Sequence, residues 1–281
     1  MAVDSLHPEY IYRLPDWIKC RDAYNGQRSI KEGGVKYLPK LEGQTNAEYN
    51  AYKERALFYS ITHKTVSALI GMAMAKPPEL KYPEKLKSFF EDKSGVQFFE
   101  LFANSLSETL LTARYGILVD RPVGGGSTMT VTYTAENILN RQVDPEGNTT
   151  RAILAEEYYE ADDDDVYTTV CKRRYRELYI DADGYYAQQV HNLDSKGKLM
   201  AAEMYQPVNT GVRMKYIPFV VINPAGVGFD DCKSPMLDIV DINISHYRTS
   251  ADLEHGRHFT GLPTPWVTGV AETTVLKVGS M

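Results

Sequence analysis

The sequence is poor in the features that usually announce chemistry. It has three cysteines, Cys20, Cys171 and Cys232. They are odd in number, far apart and outside CxxC spacing, which argues for free thiols in a reducing compartment over a disulfide frame or a zinc site. A basic excess is missing too: 31 Lys and Arg stand against 37 Asp and Glu, a net charge of −6. A chain that grips nucleic acid over its surface needs the opposite sign to displace counterions. Nor is it acidic enough for a disordered tail. Long apolar runs are absent, and the longest, Val66 to Ala75, is too short to span a bilayer. The opening MAVDSLHPEY has no basic segment leading into an apolar one, so no secretory signal is visible. These absences read as a soluble, cytoplasmic product with no membrane partner.

What is present is an ordinary globular composition, 43% hydrophobic and 24% charged, over 281 residues. That length carries one large domain or two small ones. Tyrosine is abundant, 20 against 9 Phe. Its ring covers apolar surface while its hydroxyl stays wet, which suits half-buried strands and interfaces.

Periodicity divides the chain. Asn25-Gly26 and Gly33-Gly34 punctuate a mixed first segment. Thr45 and Glu48 have capping-box spacing, and Tyr49, Tyr52, Ala56, Tyr59, Val66, Leu69 and Ala73 then recur at helical intervals. One helix is expected from there to about Ala75, stopped by Pro77-Pro78. A short helix over Glu84–Asp92 and a stronger one over Val96–Ala113 follow, with Tyr115-Gly116 as the stop. The period then becomes two. Gly116–Asp120 and Thr128–Thr134 read as strands joined by Gly124-Gly125-Gly126. The chain is β-rich from Ile153 to Ile222, with a hairpin turn at Asp183-Gly184. A last helix is expected over Ser234–Phe259, with Pro235 in its first turn. Leu237, Val240, Ile244, Tyr247 and Ala251 form its narrow apolar stripe, and Asp238, Asp241, Asn243, Ser245, Arg248 and Thr249 take the other sides. Such a stripe suits sideways packing against other helices better than a globular core.

Candidate chemistry has plainer readings. Asp162–Asp165 offers oxygen ligands for a divalent cation, yet consecutive carboxylates repel, and a solvated loop is preferred. Asp181–Gly184 lacks the distal ligands of a calcium loop, and a hairpin turn explains it. His255 and His258 sit three apart without the glutamate of a zinc helix. The glycine triplet lacks the Lys-Ser/Thr of a phosphate loop, and no G-x-S-x-G elbow exists. Cys20 and His7 have no spacing that makes them a dyad. Lys172, Arg174 and Arg176 alternate in CKRRYR, so they share one face of a strand, open to phosphate or an acidic partner, with a solvated or interface face preferred. No catalytic, cofactor-binding or metal residue is assigned, and no cofactor is expected.

An ordered set of segments then stands out: HPEY (His7–Tyr10), YLPKL (Tyr37–Leu41), Tyr52–Pro78, YGILVDRP (Tyr115–Pro122), AENILN (Ala135–Asn140), YIPFVVINP (Tyr216–Pro224) and the last helix followed by GLPTPWVTG (Gly261–Gly269). In this order they resemble a branch of tailed-bacteriophage portal proteins over nearly the whole chain. Arg141 departs from the pattern, where a tryptophan is expected after ILN.

The resemblance implies an α+β wing over residues 1–230, helical over 1–115 and β-rich over 116–230. It implies a stem helix over 234–259 and the start of a clip over 261–281. The rest of the clip, the second stem helix and the crown are expected to lie outside this chain. The implied product is a head-to-tail connector subunit of the virion, assembled in the host cytoplasm. Its implied partners are further copies in a ring, typically a dodecamer, with terminase, a head–tail adaptor, the major capsid protein and transient double-stranded DNA. The stripe Leu237, Val240, Ile244, Tyr247 and Ala251 is then the expected seam between subunits. Rival readings are another head or head–tail component and, further off, a metal-dependent nucleic-acid enzyme built on Asp162–Asp165.

Overall fold

The computed structural model describes residues 3–76, 79, 81–87, 94–121, 128–161, 167–194, 197–209, 211–261 and 268–269, with side chains excepted at 94–97 and 259. The glycine triplet, Asp162–Asp165 and nearly all of the expected clip lie outside these residues.

Helices come first. His7 caps α1 (Pro8–Asn25) through its ring, which accepts from the Glu9 N–H, and α2 (Gln27–Glu32) follows across Gly26. The Thr45–Glu48 capping box opens α3 (Asn46–Arg55) as read. The helix expected to run on to Ala75 instead breaks, and α4 covers Ile61–Ala73. Neither glycine nor proline causes the break. Side chains from elsewhere take the backbone groups: Gln27 Oε1 accepts from Phe58 N, and Asn243 accepts from Thr62 N and donates to Tyr59 O. Tertiary partners thus outbid helix propensity over Ala56–Ser60. Of the expected short helix, Glu84–Leu86 forms a 3-10 turn, and most of the remainder lies outside the described residues.

The next helix, α5 (Ser94–Thr112), forms where expected but stops differently. Ala113 takes the left-handed conformation at φ 58°. Gly116 is not the stop. It lies inside β1, where an added Cβ would fall 2.6 Å from the Phe219 ring.

Among the described residues the strands are β1 (Tyr115–Asp120), β2 (Met129–Thr134), β3 (Ile138–Val143), β4 (Thr149–Ala161), β5 (Thr169–Ile180), β6 (Tyr186–Asn192), β7 (Glu203–Tyr205), β8 (Val208–Asn209), β9 (Val212–Arg213), β10 (Phe219–Asn223) and β11 (Gly226–Val227). They form a four-stranded sheet in the order β11-β10-β1-β2, a five-stranded sheet β3-β4-β5-β6-β7 and a two-stranded ribbon, with antiparallel pairings throughout. The last helix, α6, spans Leu237–Gly261, so Pro235 lies in the turn before it rather than inside. Helices and antiparallel sheets together make the expected α+β fold.

Three hairpin turns share one chemistry. The backbone carbonyls of Asp144, Asp181 and Asp194 each accept from the N–H of a glycine three residues on, Gly147, Gly184 and Gly197. Each carboxylate also accepts from the N–H of the residue after that glycine, at 2.8, 2.9 and 2.8 Å. The glycines have positive φ, which the turn requires and glycine alone adopts without strain.

Two faces of one strand decide the layering. In β4, Ala152 and Leu154 join Leu118, Tyr133, Phe219 and Val221 in the core between the two larger sheets. Ile153 and Ala155 point the other way, against Tyr10 and Trp17 of α1. A third core lies among the helices and the segments that join them, and contains Cys20, Tyr52, Phe58, Val66 and Leu111. Burial pushes the Cys20 thiol up to about 11, so it is an inert core group.

Candidate functional site

The candidate site is the flank of α6, built from how that helix is held. Its start is pinned to the end of α5: Ser234 Oγ donates to Leu111 O at 2.6 Å, and Met236 N donates to Leu110 O at 3.3 Å. Further along, Asn243 ties it to the 56–60 break, and Arg248 donates to Tyr37 O at 2.8 Å. Asp252 accepts from Tyr52 at 2.5 Å, and His255 meets Arg55 at 3.2 Å.

This anchoring corrects the expected seam. Leu237, Val240, Ile244, Tyr247 and Ala251 all lie in the helical core of their own chain, with Val240, Tyr247 and Ala251 fully covered. Phe58 meets Tyr247 edge-on at 5.8 Å. The faces of α1, α3, α4 and α5 supply enough apolar surface to cover the stripe, so it is not free for another copy. Asn243 is also corrected, from an outward polar position to one 2% exposed. Its amide supplies the backbone bonds that the break lacks.

What remains open is the opposite flank. Ile242 is 71% exposed and Leu253 59%, and Ser245, His246 and Thr249 lie between them on the same side. Beside it runs the break between α3 and α4, where Ala56 and Phe58 are buried while Leu57, Tyr59 and Ile61 face out. Tyr59 meets His246 edge-on at 5.3 Å. Aliphatic and aromatic side chains therefore share one uncovered strip along the helix. Helical spacing alone contained Ile242 and Leu253, but the buried stripe gave the stronger periodic signal.

Lys172, Arg174 and Arg176 do share one face of β5, as the alternation predicts, but none is a bare cation. Lys172 pairs with Glu160 at 2.8 Å and Arg174 with Glu156 at 2.6 Å. Arg176 pairs with both Glu156 and Asp120 at 2.6 Å. Tyr133 donates to Glu156 as well, at 2.5 Å. Burial opposes the Glu156 charge, but Arg176, Tyr133 and Arg174 outweigh it and hold the carboxyl below its ordinary range. The face left open to phosphate or an acidic partner, with a solvated or interface role preferred, thus carries carboxylate partners from its own chain, on β4 and β1. The signal was legible in β4, where Glu156 and Glu160 alternate in step with them.

A second ionic group escaped the sequence reading. Glu9 of α1 accepts from both Arg114 and Arg141, the latter at 2.6 Å. Arg141, the departure from the expected tryptophan, also donates to Phe229 O at 2.7 Å and lies over the Phe229 ring at 4.6 Å. Arg114 stacks on Trp17 at 5.2 Å. Burial lowers the pKa of Arg114, with Glu9 opposing. These partners stand more than a hundred residues apart, beyond any local pattern.

A family model described as a domain of unknown function, DUF4055, matches residues 235–281. The match starts at the turn into α6 and covers well under half of the chain, and its description names no activity. No curated protein matches this sequence. Among the described residues no group of three or more His, Cys, Asp or Glu side chains is placed to hold a metal ion, and no helix is long and apolar enough to cross a membrane.

Proposed function

We propose that this chain is a subunit of a ring-shaped bacteriophage portal, a passive conduit for DNA at the head vertex. One observation carries the reading beyond the ordered sequence resemblance. A 25-residue helix, about 37 Å long, is anchored along one side and bare along the other. The bare strip of Ile242, Leu253, Tyr59 and Ile61 is the surface a neighbouring copy covers. Repeated with a closing rotation, such a contact makes a ring. The subunit count of such rings, the attachment of terminase, adaptor and capsid protein, and the passage of double-stranded DNA belong to the same proposal. Another head or head–tail component shares the β-rich surface but does not need a helix of this length, so α6 favours the portal.

Negative-stain electron microscopy of the purified full-length protein tests this. Rings with an open centre are the expected image. Uniform monomers at every concentration would count against it.

A further inference from the structure

A contact that closes a ring is heterologous. The strip on one copy must meet a different surface on the next, because strip against strip makes a two-fold pair and stops there. A ring therefore needs a second patch, and α6 shows what that patch must lack. On its outward side only Ser245, His246 and Thr249 stand between Ile242 and Leu253, with no Asp, Glu, Lys or Arg. Charges sit at the two ends and are already paired, Asp238 with Lys233 at 2.5 Å and Arg257 with Glu254 at 3.0 Å. A mate that pressed a charge against the middle would strand it away from water.

The four-stranded sheet has an uncharged face. Leu118, Val131, Tyr133, Phe219 and Val221 turn into the core between the sheets. Strand alternation turns Ile117, Val119, Thr130, Thr132, Val220 and Ile222 to the other side. The register sets them in rows: Val220, Ile117 and Thr132 lie side by side across β10, β1 and β2, and Val227 lies beside Ile222. Val119 and Val220 are 43% and 45% exposed, and Val227 at the edge is 74% exposed. The open face of an antiparallel sheet is ordinarily polar. This one is aliphatic and threonine, without a charge in its rows, and Arg121 stands just past its end. Its four strands span ~14 Å, and the strip from Ile242 to Leu253 runs ~16 Å along α6.

We propose, resting on the ring reading, that the neighbouring copy receives the α6 strip on this outer sheet face. Ile242 and Leu253 lie against Ile117, Val119 and Val220, with Val227 at the rim. Helix laid on sheet is an ordinary way to bury two such faces. Neither side brings a charge to be buried, and each covers aliphatic surface that a lone subunit leaves in water.

Native mass spectrometry of full-length variants tests it, at a concentration where the parent is fully assembled. Ile242→Asp/Leu253→Asp spoils the strip, and Val119→Asp/Val220→Asp spoils the sheet face. Each alone is expected as a monomer. Mixed in equal amounts, with one partner isotope-labelled, they retain one intact strip and one intact sheet face between them. They should form a heterodimer and nothing larger. Rings from the sheet variant, homodimers of it through its strip, or a mixture that stays monomeric would overturn the proposal while parent rings still stood. A parent without rings would overturn the ring as well. Should Val119→Asp/Val220→Asp fail to fold by circular dichroism, Val227→Asp at the exposed edge must break the rings in its place, and rings unmoved by it would overturn the proposal.

Discussion

At the scale of single residues, Glu156 is where most is at stake. It neutralises Arg174 and Arg176 and accepts from Tyr133 in a place only 12% exposed. Glu156→Gln removes the charge and leaves Arg176 with Asp120 alone. The expected cost is about 3 kcal/mol, the usual penalty for stranding one partner of a buried pair, read as a lower urea midpoint. Tyr247 is the opposite case. Its ring fills the helical core, but its buried hydroxyl finds no hydrogen-bond partner among the described residues, and burial raises its pKa to about 12. Tyr247→Phe is expected to raise stability by about 1 kcal/mol, because it removes an unmet polar group and keeps the ring. Of these residues the sequence showed only types and spacing. Tyr247 was legible as part of an apolar stripe, but not its missing partner. The pairing of Glu9 with Arg141 was illegible, because the fold alone brings His7–Tyr10 beside β3.

At the scale of elements, α6 separates two kinds of apolar position. Ile244 is 4% exposed inside the helical core and Ile242 is 71% exposed on the bare flank. Ile244→Asp buries an unpaired carboxylate and is expected to cost at least about 3 kcal/mol, with loss of the cooperative thermal transition. Ile242→Asp is expected to leave the subunit's own melting within about 0.5 kcal/mol of the parent, the ordinary range for a surface change. Equal melting of the two variants would contradict this assignment of inner and outer faces. The 3.6-residue period located this helix and α5 closely, because each carries a continuous face. The break at Ala56–Ser60 was hidden, because the residues that stabilise it, Gln27 and Asn243, lie on other elements. In β4 the alternation is masked by burial on both faces, and this is why the strand reads as a plain apolar run in its middle.

At the scale of the whole molecule, stability depends on pH through enclosed carboxylates. Burial pushes Glu9, Glu136 and Glu156 up, but their arginine partners win and hold each below the ordinary 4.5. In the unfolded chain they titrate near 4.5, so the folded state binds fewer protons there. Their contribution is therefore complete above that pH and is lost as pH falls through the lower folded values. His7 adds an earlier, smaller step. Its folded pKa lies below the ordinary 6.5, so protonation below 6.5 favours the unfolded chain. The expected unfolding midpoint is flat around neutrality, dips slightly below pH 6.5 and falls steeply below 4.5. His7→Gln should remove the first dip and keep the second, and a midpoint that rises on acidification would contradict the ion-pair description.

At this scale the division into a helical first part, β-rich middle and long last helix was legible from the change of period along the chain. Which side of the last helix faces outward was not, since a narrow apolar stripe fits a core and an interface equally well. Assembly through the bare side of that helix is the central claim. Native mass spectrometry of the full-length protein beside its Ile242→Asp/Leu253→Asp variant tests it most directly. Closed rings of one copy number are expected for the parent, and folded monomers for the variant. A monomeric parent, or a variant whose rings are unchanged, would contradict it.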